Sequence, residues 1–284
     1  MQRERCDEQF ISHCTIVNPH KGAFCRGGEN FFKFPKIARV TRGRMGDEIQ
    51  AATFDTSMAA GRVAQQAGRW AEAGSLFAEA ARRWPNTAEP VFGQCIAALQ
   101  AKDQRAGALL QDLLARFPGH AAGWEELGQW LLEAGKTEAA LSCLQRALAV
   151  RPSLALLLAC GNALRGLGRL PEARATFTEA CRMAPNSVRA AFLLGLSAQD
   201  ARDTPAARAA YERALAIDAT LPEAWVNLGT VLQETGDLEG AKRAYGRALR
   251  HRGDTFGRIS QAMTAAPKGE LWLDLGRLRR GLAG

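Results

Sequence analysis

Four residues able to ligate a metal, Cys6, Cys14, His20 and Cys25, fall within the first 25 positions. Thiolates and imidazoles in that number suit tetrahedral zinc. Their separations are seven, five and four intervening residues. Structural zinc motifs are built on a paired C-x2–4-C knuckle, and this stretch has none, so no metal is expected. The histidines, His13, His20, His120 and His251, sit in no catalytic motif: G-x-S-x-G, H-E-x-x-H and G-x-x-x-x-G-K-[ST] are all absent. "GNALRGLG" at 161–168 contains glycines but follows no strand, which removes the dinucleotide-loop reading. Glu125 and Glu126 are adjacent, and adjacent helical residues do not face each other. Cys143, Cys160 and Cys181 read as small buried hydrophobes. The chain is expected to be no enzyme and to hold no cofactor.

Charge narrows the partners. The chain carries a net charge of +8. Residues 1–44 hold nine Lys and Arg against four Asp and Glu, and 250–284 hold seven against three. Between them, 45–249 hold 21 against 22, so the centre has no basic excess to neutralise phosphates. No nucleic acid is expected as a partner. The tail "GRLRRGLAG" reads as the solvated face of a last helix. No apolar run reaches the roughly 18 residues that a membrane span requires. The N-terminus has no apolar signal core. Seven scattered cysteines fit reduced thiols, and a cytoplasmic location is expected.

What must position any functional side chain is a repeat. "WVNLGTVLQETGDLEGAKRAYGRAL" at 225–249 recurs as "AFLLGLSAQDARDTPAARAAYERALAIDA" at 191–219 and "LLACGNALRGLGRLPEARATFTEACRMAP" at 157–185. Further copies lie at 124–152, 90–118 and 57–85, with one residue lost in the turn before 157. Each copy places apolar or small residues at i, i+3, i+4 and i+7 in two short segments, which predicts two amphipathic helices. Gly68, Gly135, Gly168 and Gly236 mark the turn between them. Pro171 and Pro205 open second helices, and Pro85, Pro118, Pro152 and Pro185 stop them. Gly61, Gly128, Gly161, Gly195 and Gly229 recur in the first helix, and Ala73, Ala106, Ala140, Ala173, Ala207 and Ala241 in the second. These small residues let paired helices approach closely, with Trp124 and Trp225 as packing anchors. Two copies depart: one has Gly93-Gln94 at the Leu-Gly position and Ala101 at the turn, the other Ala191 and Arg202.

The set Trp225, Leu228-Gly229, Leu232, Gly236, Ala241, Tyr245 and Ala248 resembles the tetratricopeptide repeat family. The resemblance implies an all-α, right-handed α-solenoid of helix-turn-helix repeats with a C-terminal capping unit. Six repeats are expected over 54–254, at 54–86, 87–120, 121–153, 154–187, 188–221 and 222–254. The cap is 255–284, with Asp274 as a helix N-cap and Leu271 and Trp272 packed back on the sixth repeat. The resemblance also implies a non-catalytic scaffold or adaptor that grips a protein or peptide in a concave groove lined by first helices. The groove candidates are Arg62, Gln66, Glu125, Gln129, Asn162, Arg165, Arg189, Phe192, Asn227, Thr230 and Gln233. Asn162 and Asn227 read equally as backbone ligands, through amide donor and acceptor, and as solvated helix surface. Leu193 stands where the chaperone-binding sub-type wants Asn, so that carboxylate clamp is incomplete. The second reading is an accessory or substrate-recognition subunit of an enzyme such as a glycosyltransferase. Oligomeric state is open.

Residues 1–53 lie outside the pattern and read as a disordered or spurious extension. "MGDEIQAATFDTS" leads straight into the first repeat, which makes Met45 the expected start. Intact mass of the protein from its native source checks this, and a species beginning at Met1 overturns it.

Overall fold

The computed structural model describes residues 53–265 and 279–282. No strand occurs among the described residues. Cys6, Cys14, His20, Cys25, Met45, Leu271, Trp272 and Asp274 lie outside them. Helix α1 occupies 53–66. It is followed by α2 (Trp70–Arg83), α3 (Ala88–Gln100), α4 (Ala106–Arg116), α5 (Ala121–Glu133) and α6 (Thr137–Val150). Then come α7 (Leu154–Gly166), α8 (Leu170–Met183), α9 (Val188–Asp200), α10 (Thr204–Ile217), α11 (Pro222–Thr235) and α12 (Leu238–His251). A 3-10 turn (Gly253–Thr255) leads into α13 (Phe256–Ala265). The helices pack in consecutive pairs, and each pair packs on the next, as in an α-solenoid. No helix among the described residues is long and apolar enough to cross a membrane.

Local chemistry sets the helix ends. Ser153, Ser187, Asp203 and Asp237 each accept a hydrogen bond from the backbone N–H three residues on. Such caps are each worth about 1 kcal/mol. Pro85, Pro118, Pro152 and Pro185 directly follow the C-caps Trp84, Phe117, Arg151 and Ala184. Within a pair, the chain reverses through one left-handed residue. Gly68, Gly135, Gly168 and Gly236 take φ of 70, 72, 72 and 90°. Arg202 does the same at 57° in the fifth pair.

The second pair corrects the sequence reading. Its left-handed residue is Lys102, with φ 54°, and not Ala101. The turn bonds, Lys102 N–H to Leu99 and Asp103 N–H to Ala98, match those of the other pairs. After them Ala106 N–H bonds Asp103, a three-residue step, where Ala73, Ala140, Ala173, Ala207 and Ala241 bond four residues back. One residue is thus missing between the turn and α4. Counting back across that gap shifts α3 by one. Cys95, fully buried, holds the small-residue position that Gly93-Gln94 was expected to occupy.

The core is a chain of overlapping clusters with no single centre. In five of the six pairs a large second-helix side chain lies across a glycine of the first helix. A Cβ added to Gly61, Gly161, Gly195 or Gly229 would come under 3.0 Å from ring atoms of Phe77, Phe177, Tyr211 or Tyr245. Gly128 meets Leu144 in the same way. Trp124 and Trp225 are half-buried, with their indole N–H groups donating to Pro118 and Ala219 carbonyls at 2.8 and 2.7 Å. Arg146 and Arg247 lie over the two rings, each 4.7 Å from the centroid. At the C-terminal end, Ile259 and Met263 of α13 are buried against the last pair. Leu282 is buried beside Gly246 of α12.

Gly229→Ala is expected to cost about 1–3 kcal/mol, because the buried Tyr245 ring must shift. Gly166→Ala is the control: it closes α7, where an added Cβ meets nothing within 4 Å. It is expected to add about 0.5–1 kcal/mol. Urea melts check both, and equal midpoints would overturn the packing assignment.

Candidate functional site

The groove candidates sit on the first helices α1, α5, α7, α9 and α11, and the structure treats them differently. Arg62, Gln66, Gln129 and Arg189 are exposed. Glu125 is half-buried and lies 3.7 Å from Arg151 at the end of its own pair. Arg165 Nε lies 2.7 Å from Asp200 Oδ2, an ion pair that joins α7 to α9. Phe192 is half-buried against Tyr211, with ring centroids 5.8 Å apart. The Tyr211 hydroxyl donates to Gln199 Oε1 at 2.8 Å and hydrogen-bonds Asn227 of the next pair. Burial raises the pKa of this phenol, and the Asn227 bond opposes that shift. Asn162 is half-buried, and its amide has no partner among the described residues. The structure therefore brings Arg165 and Asn227 into one polar seam with Asp200, Gln199 and the Tyr211 hydroxyl across three pairs, and Phe192 packs on the tyrosine ring beside it.

Two candidates on α11 turn inward. The Thr230 hydroxyl donates to the Val226 carbonyl at 3.2 Å and lies 3.4 Å from the Tyr245 hydroxyl. Gln233 is only 2% exposed. Its Nε2 donates to the Met263 carbonyl of α13 at 3.1 Å, and its Oε1 accepts from Tyr245 at 3.0 Å. Gln233 is not an open groove residue, because α13 covers the place where a further repeat would begin.

The sequence reading missed a cleft. Between the end of α3, the Lys102 turn and α5 lies an opening of about 710 Å³. Leu99, Gln100, Glu126, Gln129, Trp130 and Glu133 line it, with Lys102 and Asp103 at the turn. The signal was available: Glu126, Trp130 and Glu133 share one helical face at i, i+4 and i+7. Burial first, then the charges of Glu125 and Glu133, push the Glu126 carboxyl above its ordinary range. Lys102 is the only cation among the lining residues. Asp103 is engaged by Arg105 at 2.8 Å.

Side chains with chemical potential elsewhere are structural. Cys95, Cys143, Cys160 and Cys181 are buried free thiols. Burial pushes Cys95 up to about 12 and Cys160 up to about 11, which keeps them protonated. His120 Nδ1 caps α5 by accepting from Gly123 N–H at 2.9 Å, and its ring packs on Phe92 at 4.7 Å. Burial lowers its pKa and favours the neutral form that can cap. Among the described residues, no group of three or more His, Cys, Asp or Glu could hold a metal.

Models of the tetratricopeptide repeat match residues 104–155, 126–188 and 158–222, and another model of that repeat matches 198–266. Together they span more than half of the 284 residues. The solved structure of YrrB, described as a TPR protein with an unusual peptide-binding site, is 18% identical with a TM-score of 0.57. That match covers 63% of this chain and 93% of YrrB. PilF of Pseudomonas aeruginosa is 18% identical over 70% of this chain and 91% of its own, with a TM-score of 0.56. The C-terminal part of a TPR repeat-containing protein from Cytophaga hutchinsonii is 14% identical over 72% and 83%, with a TM-score of 0.60. No curated protein matches. At these identities the likeness to the solved structures is one of fold.

Gln233→Ala removes the acceptor for Tyr245 and the donor to α13. It is expected to cost about 1–3 kcal/mol and to speed amide exchange over 256–265. Hydrogen-exchange mass spectrometry checks this. Unchanged exchange would mean that Ile259 and Met263 alone hold α13.

Proposed function

Because this chain belongs to the tetratricopeptide repeat family, we propose that it is a non-catalytic scaffold that holds an extended segment of a partner protein against its first helices. The observation that carries this is the half-buried Asn162 amide, which has no partner among the described residues. It shares a helical face with Arg165, whose ion pair with Asp200 ties α7 to α9. An amide so placed offers a donor and an acceptor to a passing peptide backbone. Gln199, Tyr211 and Asn227 extend the same polar seam to α11. Side chains already locked to one another lose little freedom on binding, which lowers the cost of association. YrrB, which shares the fold, is described as having a peptide-binding site, and that supports the reading.

A random dodecapeptide library displayed on phage, selected on the immobilised protein, tests it. Peptides are expected to enrich, and a synthesised clone is expected to bind Asn162→Ala about five- to tenfold more weakly, as the loss of one or two backbone hydrogen bonds would give. No enrichment over bare support, or equal affinity for Asn162→Ala, overturns the proposal.

A further inference from the structure

We propose that the partner segment is basic, and that the cleft between α3 and α5 seats one of its lysine or arginine side chains. This rests on the groove reading above and adds the chemistry of the occupant. Charge is the first argument. Glu126 and Glu133 line the cleft, and neither has an ion-pair partner among the described residues. The neighbouring acids are already matched, Glu125 by Arg151 and Asp103 by Arg105. Glu126 is half-buried beside like charges, an arrangement that a cation entering the cleft relieves.

Trp130 supplies the second argument. The chain places an arginine over Trp124 and over Trp225, and ties both indole N–H groups to backbone carbonyls. Trp130 has neither an arginine nor an N–H partner among the described residues, and it lines the cleft. Its six-membered ring lies close to Gly107, where a Cβ would come under 3.0 Å. An aromatic ring beside carboxylates is the setting in which a guanidinium or ammonium gains both an ion pair and a cation–π contact. Leu99, on the opposite wall, suits the aliphatic stem of such a side chain. The same negative lining disfavours phosphate-bearing ligands.

The dodecapeptide selection is repeated on wild-type protein and on the double variant Glu126→Gln/Glu133→Gln. Wild-type clones are expected to carry about twice the Lys and Arg frequency of the unselected library, and the variant's clones to lose that excess. A synthetic basic clone, followed by fluorescence anisotropy, is expected to bind the double variant and Trp130→Leu about tenfold more weakly, the loss of a charge-assisted contact. Folding is controlled by melting. Glu126 has a raised folded-state pKa, so its charge opposes folding above that pKa and is without effect well below the unfolded one. The Glu126→Gln change should therefore not lower the melting temperature at pH 7. Enriched clones without basic excess, or a basic excess that survives in the double variant, overturn this inference. If such clones still bind Asn162→Ala weakly, the groove reading stands without it. Absence of any enrichment overturns both.

Discussion

A side chain that is absent governs the arrangement of the side chains that are present. Where Gly61, Gly161, Gly195 and Gly229 leave the first helix bare, an aromatic ring from the second helix lies directly across its backbone. That contact sets the separation within those four pairs, since a ring cannot be compressed and a buried one cannot leave. It also decides where the far end of the ring emerges. For Phe77 and Phe177 that end is apolar. For Tyr211 and Tyr245 it is a hydroxyl delivered to the other side of the first helix.

The two tyrosines show how one local geometry serves opposite ends. Each donates to a glutamine twelve residues before it, Tyr211 to Gln199 and Tyr245 to Gln233. At α9 the bond stays at the face and gains Asn227 from the next pair. At α11 the place of the next first helix is taken by α13, and Gln233 passes the contact on to its Met263 carbonyl. In the fourth pair the ring is Phe177, which has no hydroxyl, and Arg165 at the matching position reaches to Asp200 instead.

The second pair breaks the rule, and the consequence is asymmetric. Cys95 replaces glycine, Leu110 replaces the ring, and one residue is missing after the Lys102 turn. Beside it opens the cleft lined by Trp130, Glu126 and Glu133. On α7 and α9 the acid Asp200 is answered by Arg165 within the protein. At α5 Glu126 and Glu133 have no such answer among the described residues.

The helix pairs, their turn glycines and closing prolines, and the inward role of Trp124 and Trp225 were legible in the sequence. Each depends on residues a few positions apart, and helical geometry makes such spacing decisive. Arg202 as a turn without glycine was legible for the same reason. The register of α3 was not, because one missing residue can be placed on either side of a turn without disturbing the pattern. Nor was the fate of Gln233, whose partner Met263 lies 30 residues on and on another helix. Gln199 went unremarked, and Glu126 was weighed only against its neighbour Glu125, because the significance of both lies in what faces them from other elements. The sequence by itself determined which residues form the framework, since that is a matter of period. Which polar side chains are spent within the protein, as Gln233 and Arg165 are, became visible only in the tertiary structure, since that depends on contacts between helices the period does not encode.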